Sequence, residues 1–237
     1  MNYLLLPFLL LFLSLTACDS QRNSAGTATS ETTPAAETPS AVEDITIEEL
    51  DARYPEAAKA YFAGGCFWCT EASFTRIQGV VDVYSGYAGG TAENPNYKQV
   101  SSGQTDYAEA IVVYYNPDEI TYDKLLDIFF VAHDPTQVNR QGPDIGPQYR
   151  SAIFPLNEQQ RQEAEAKIAK LNASGKFDEE IATTIESSEN FYVAEAYHQN
   201  YYEDPTNPNQ GYVQNVSRPK VEKVMKEFSD ILKPEYR

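Results

Sequence analysis

Runs of β-forming residues alternate along this chain with stretches of helical periodicity, an order that restricts it to folds in which helices cover a sheet. Residues 58–63 make a short strand-like run that stops at Gly64 and Gly65, and residues 66–77 follow as a predicted helix. Residues 79–87 read as a second strand, closed by Gly89 and Gly90, and 108–115 as a third, broken by Asn116 and Pro117. In residues 121–133, Tyr122, Leu125, Leu126, Phe129 and Phe130 recur at helical spacing, which predicts an amphipathic helix that His133 closes with a partly cationic ring. A strand over 151–154, a mostly polar helix from the cap Asn157 to about Asn172, and a strand over 181–186 complete the series. The expectation is an α/β (α+β) domain with a mixed sheet, whose strand order does not follow from the pattern. No self-similarity at a period of roughly 20 to 50 residues indicates a repeat architecture.

The amino end is of another kind. Residues 4–13 form an apolar run too short to span a bilayer but suited to the core of a secretory signal, and Leu15, Thr16, Ala17 and Cys18 follow in the pattern of a bacterial lipobox. The expected organisation is a signal peptide over 1–17, a lipidated Cys18 with a disordered acidic tether over 18–50, and a folded domain over 51–237. An uncleaved anchor and a simple secretory signal are the alternatives. Seven acidic residues stand against the single Arg22 between Cys18 and Leu50, with few large apolar side chains to offset the entropy of ordering. The whole chain, with 35 acidic and 18 basic residues and a formal charge of -17, is unsuited to tracking phosphates, so nucleic acid is excluded as a partner. Three cysteines are too few for a disulfide scaffold.

Two features carry chemistry. The first is GCFWCTE, residues 65–71. Cys66 follows a strand end and opens a helix, where unpaired N–H groups and the positive dipole end favour a thiolate nucleophile. Cys69 lies one helical turn on, close enough for a disulfide with Cys66, so the two read as a redox pair. Two small buried core residues are the plain alternative. A zinc site would need further ligands, and the chain's two histidines, His133 and His198, are spaced unlike any finger; no metal or other cofactor is expected. Phe67 and Trp68 offer an apolar wall for a small hydrophobic group, or simply core packing. The second feature is an 18-residue polar connection from His133 to Arg150 with three prolines and two glycines, of a length more often functional than idle.

GGCFWCTE resembles the active-site signature of the A-type peptide methionine sulfoxide reductases. Further matches follow in the family's order: YSGYAGG from Tyr84, NPNYKQVSSGQTDYAEA from Asn94, HDPTQVNRQGPDIGPQYRSAIF from His133 and AEAYHQNYY from Ala194. The resemblance covers roughly residues 58–211 and implies a two-layer sandwich of ferredoxin-like plait type. It implies reduction of the S epimer of methionine sulfoxide by Cys66, with Phe67 and Trp68 cradling the substrate methyl. Glu109 would donate the proton to the sulfoxide oxygen, Tyr87 and Tyr149 would hydrogen-bond that oxygen, and Asp144 would help to organise the site. Many relatives have Gly at the position of Cys69 and resolving cysteines near the carboxyl end. This chain has no Cys beyond Cys69, so Cys69 is expected to resolve a Cys66 sulfenic acid locally, giving a disulfide for thioredoxin or a thioredoxin-like donor. Tyr107 stands where many relatives have His.

Glu109 can also be argued from its strand. It shares a face with Ile111, Val113 and Tyr115, so a lone carboxyl heads an apolar stripe, where desolvation should raise its pKa and suit it to general-acid work. An edge-strand carboxylate in solvent is the bland alternative. The leading expectation is a monomeric, lipid-anchored enzyme of the cell envelope acting on oxidised methionine in proteins. A lipoprotein that only exchanges disulfides or binds partners through its CxxC is the competing class.

Overall fold

The computed structural model describes residues 45–187 and 190–237; the expected signal, Cys18 and nearly all of the tether lie outside these residues. Six strands form one sheet: β1 (Ala58–Gly64), β2 (Val80–Ala88), β3 (Ala108–Tyr115), β6 (Ser151–Phe154), β7 (Thr184–Ile185) and β8 (Phe191–Val193), in the order β7-β6-β1-β3-β2-β8. All pairings are antiparallel except β6 with β7. β1 and β2 both lie antiparallel to β3 and so run parallel to each other, joined across one face by helix α2 (Phe67–Thr75). β3 and β6 flank β1 in the same relation, with helix α4 (Tyr122–Ala132) in the connection. Two interleaved β-α-β crossovers on one face make the ferredoxin-like plait.

Every residue of the central strand β3 is buried, and alternation sorts them between two cores. Ile111, Val113 and Tyr115 face α2, α4, helix α5 (Glu158–Ser174) and helix α7 (Arg218–Glu227), together with Phe62, Phe74 and Phe129. Ala110, Val112 and Tyr114 pack on the other face against Tyr61, Phe154 and Leu50. Leu50 belongs to helix α1 (Ile47–Arg53), which a Thr46–Glu49 capping box opens. The tether therefore ends before residue 50: burial of Leu50 recruits residues whose acidic composition alone suggested a solvated segment.

The strand expected over 181–186 is only the two-residue β7, since just Thr184 and Ile185 pair with β6. The long polar connection is built rather than loose. It holds a two-strand hairpin, β4 (Arg140–Gln141) with β5 (Asp144–Ile145), and a 3-10 turn Pro147–Tyr149. Buried Gln141 pins it, accepting from the Asp134 N–H at 3.1 Å and donating to the Asp134 carbonyl at 2.9 Å. Between β2 and β3, helix α3 (Tyr97–Ser101) opens with its own Asn96–Gln99 capping box. Near the carboxyl end a short turn α6 (Gln210–Tyr212) runs into a π-turn, Val213–Ser217, and then into α7.

Candidate active site

The site lies where β1 hands over to α2. Gly65 takes φ +86°, and a Cβ there would sit 2.4 Å from the Cβ of Gln141, so only glycine lets the hairpin pack under the turn. Cys66 then caps α2, and its sulfur-bearing residue lines a cavity of about 210 Å³ together with Trp68, Glu109, Asp144 and Tyr149. Five of the residues singled out from sequence thus meet at one opening, contributed by α2, β3, the hairpin and the 3-10 turn. Among the described residues, no group of three or more His, Cys, Asp or Glu could hold a metal.

Glu109 is 2% exposed and stands on the innermost strand, not an edge. Its Oε2 accepts the N–H of Phe67 at 3.1 Å, the first backbone donor of α2, which has no partner inside its own helix. Burial nevertheless dominates and pushes the carboxyl up to about 8, with nearby Asp144 and Cys69 adding to the rise. At neutral pH it holds its proton.

The same burial corrects the expectation of an ionised Cys66. Desolvation pushes its thiol well up, and a hydrogen bond to Cys69 acts in the same direction. The helix N-terminus does not counter this, because the donor expected to help the sulfur is taken by Glu109. Cys69 moves oppositely, down to about 7: the hydrogen bond from Cys66 leads, and Lys220 and Ser217 also lower it against the burial of its own sulfur. The two thiols titrate as an interacting pair, and the hydrogen bond between them raises Cys66 as it lowers Cys69. Both cysteines are free, and Cys69 turns away from the cavity wall to donate to Ser217 Oγ at 3.2 Å.

Two expected placements differ. Tyr87 does not line the cavity: its hydroxyl donates to Glu195 Oε2 at 2.8 Å, while Tyr97 stands at the cavity wall. Glu195 also accepts the Tyr97 N–H at 2.8 Å, so it ties both tyrosines into one scaffold. The Phe67 ring lies behind the wall rather than in it, packed 6.4 Å from Tyr97 and 5.1 Å from His198. Of the two adjacent aromatics it is Trp68 that lines the cavity, stacked on Tyr201 at 3.8 Å and 9° with Tyr212 edge-on at 5.9 Å. Its indole N–H donates to His198 Nδ1 at 3.2 Å, and burial holds that ring neutral, down to about 4.

Tyr212, which no local pattern distinguishes, also lines the cavity and donates to Asp144 Oδ2 at 2.6 Å. Burial raises the hydroxyls of Tyr97 and Tyr149, and Glu109 raises them further, so both remain proton donors. His133 does end α4, but as a buried neutral ring: desolvation lowers it to about 4, and it bridges the Phe129 carbonyl and Ser151 Oγ, each at 2.7 Å. The cationic cap expected there is absent because burial disfavours the charged ring. Chemically, the cavity pairs a reachable sulfur with a neutral carboxylic acid and phenolic donors across a small aromatic hollow.

Residues 58–232 match the family model described as peptide methionine sulfoxide reductase. A peptide methionine sulfoxide reductase MsrA from Deinococcus radiodurans is 51% identical over 181 residues, 76% of this chain and 87% of that relative. One from Nitratiruptor sp. is 54% identical over 173 residues, 73% of this chain and 97% of the relative. Among solved structures, Mxr1 from Saccharomyces cerevisiae in reduced form gives a TM-score of 0.59 at 40% identity, covering 65% of this chain and 88% of that one. Methionine sulfoxide reductase A of Corynebacterium diphtheriae gives 0.57 at 35% identity, over 65% and 77%.

Proposed function

The chain belongs to the peptide methionine sulfoxide reductase family and is a thiol-dependent methionine sulfoxide reductase, and from that premise we propose how its own residues divide the work. Cys66 is the nucleophile. Glu109 gives its proton to the sulfoxide oxygen while the Cys66 sulfur attacks the substrate sulfur, and the thiol proton reloads the carboxylate. The hydroxyl then passes from the substrate sulfur to the Cys66 sulfur as the bond between the two sulfurs breaks, so methionine leaves as a thioether and Cys66 is left as a sulfenic acid: one sulfur is reduced by two electrons and the other oxidised by two. Tyr97 and Tyr149 hydrogen-bond the oxygen, and Trp68 holds the methyl. Phe67 supports the wall and fixes Glu109 through its N–H. Asp144 and Tyr212 brace the hairpin side.

The observation that carries this reading is Glu109, neutral and gripped by the Phe67 N–H at 3.1 Å, opening into the same cavity as Cys66. A disulfide exchanger has no oxygen to protonate and needs no substrate hollow, whereas here the acid and the thiol open into one small cavity. Oxygen donors on one wall and an aromatic face on another hold the oxygen and the methyl of the sulfoxide, an arrangement suited to a single epimer, and the family resemblance makes that the S epimer. The reduced chain should therefore release methionine from the S epimer alone; consumption of both epimers at similar rates would overturn the site assignment.

Cys69 then resolves the sulfenic acid, and a thioredoxin-like dithiol reduces the resulting disulfide. In Cys69→Ser, one methionine per chain should be released before turnover stalls at a trappable sulfenic acid. Sustained thioredoxin-coupled cycling would refute local resolution. The lipobox pattern at Leu15–Cys18 supports an exported, lipid-anchored enzyme in the cell envelope that repairs oxidised methionine in proteins there. Mass spectrometry of the mature amino terminus, expected to begin at a diacylated Cys18, tests the anchor.

A further inference from the structure

Cys69 sits in surroundings that its role as a buried partner thiol does not require. Its side chain meets Ser217, itself wholly buried at the end of the π-turn, with the sulfur and Oγ 3.2 Å apart. A π-turn is an uncommon piece of backbone that often re-aims side chains at functional sites. Here it joins the segment carrying Tyr212 to α7, which packs against α2. One turn on from Ser217, Lys220 faces the same side. Lys220 borders a second, separate cavity of about 680 Å³, yet its Nζ is shut off from solvent and has no hydrogen-bond partner among the described residues. A buried ammonium without a partner is costly unless it faces an anion. The cavity it borders also carries Asp134, Asp178 and Glu179 with Lys176 and Lys223, and its charge reaches the neutral ring of His133 and, on the inner side, the sulfur of Cys69.

We propose that Ser217 and Lys220 are positioning residues that hold Cys69 as the thiolate, so that the resolving sulfur, rather than the one that attacks substrate, carries the resting charge of the pair. When Cys69 is ionised, the Ser217 hydroxyl turns to donate to it, and the Lys220 ammonium supplies the countercharge. Among the other groups facing this sulfur, Cys66 donates to it and Asp144 opposes its charge, while that charge helps to keep Glu109 and Tyr212 protonated. The direction of the Cys69 thiol, below its usual range despite burial, agrees with this balance.

In the resolving step the Cys69 electron pair forms the S–S bond as the S–O bond of the Cys66 sulfenic acid breaks. The departing hydroxide takes up a proton equivalent to the one Cys69 shed on ionising, leaving water. The inference rests on Cys69 as the resolving thiol, and the test separates the two.

The full chain with Cys18→Ser has only Cys66 and Cys69 as thiols. It is mixed with methionine S-sulfoxide in the absence of reductant, and methionine release and Cys66–Cys69 disulfide formation are followed separately over a pH series. Lys220→Met should release methionine at the unsubstituted rate but form the disulfide about tenfold more slowly at neutral pH. The midpoint of its disulfide-formation profile should rise by about one pH unit. Ser217→Ala should shift the midpoint the same way by less, and Lys220→Arg should restore it. An unmoved midpoint, or equal slowing of both steps, would overturn the role given to Lys220 and Ser217 while leaving Cys69 as the resolving thiol. Reductant-coupled cycling by Cys69→Ser would instead remove the reading on which it rests.

Discussion

At Glu109, burial and one hydrogen bond pull in opposite directions and burial wins, which turns an ordinary carboxylate into a neutral acid at working pH. The sign of the pH dependence follows. A carboxyl raised to about 8 is protonated below that value, so the rate of methionine release should fall as pH rises through about 8. Glu109→Gln keeps the shape and the acceptor for the Phe67 N–H but has no proton to give. Single-turnover release should slow by about a hundredfold or more, and its alkaline limb should vanish. A variant with the same release rate and the same limb would take Glu109 out of the mechanism. Tyr97 can be separated from Tyr87 in the same way. Tyr97→Phe removes a donor from the cavity wall and should slow release by about tenfold. Tyr87→Phe breaks only the bond to Glu195, and its effect should appear first in thermal stability.

The β1–α2 corner shows how an element boundary positions chemistry. Gly65 and Gly175 both have positive φ, +86° and +66°, but a Cβ at Gly65 would strike Gln141 at 2.4 Å whereas one at Gly175 meets nothing within 4 Å. Gly175→Ala should therefore cost about 1 kcal/mol of backbone strain and leave activity alone. Gly65→Ala should cost more, about 2 kcal/mol or above, and displace the hairpin that carries Asp144. Denaturant unfolding and single-turnover release, measured on both, should show an activity loss only for Gly65→Ala. Much of this level was legible in the sequence. β3 has the ends its β-formers and the Asn116–Pro117 break imply, α4 starts at its Thr121 cap, and Glu109 heads its apolar stripe. The helix α1 also had its signal, Thr46 three residues before Glu49, masked by the acidic composition around it. Tyr87 and Tyr97 were not separable, because both lie in motifs and only the reach of Glu195 from a distant loop engages one hydroxyl. Tyr212, Ser217 and Lys220 come from a π-turn and the helix after it, where no period in the sequence announces what the side chains face.

Four buried titratable groups make the stability of the whole fold depend on pH from both sides. Glu71, 1% exposed with one oxygen accepting the Asn200 N–H at 3.0 Å and the other without a partner among the described residues, is pushed by burial from 4.5 up to about 8, as Glu109 is. Folded, these two hold protons that an unfolded chain sheds above 4.5, so their contribution is complete below that value and lost as pH rises toward 8. His133 and His198, lowered by burial from 6.5 to about 4, contribute fully above 6.5 and lose that contribution as pH falls toward 4. The alkaline loss can be isolated at Glu71, which lies outside the cavity and is buried wholly within the fold. Glu71→Gln retains an acceptor for Asn200 and has nothing to ionise. Its melting temperature should therefore fall less than that of the unsubstituted chain between about pH 6 and about pH 9, while the acid limb set by the histidines stays the same. The net charge of -17 repels itself more at high pH in both proteins, so it cancels in the comparison. Parallel melting curves across that range would mean that Glu71 is already ionised in the folded state, with a countercharge or solvent reaching the oxygen that now has neither.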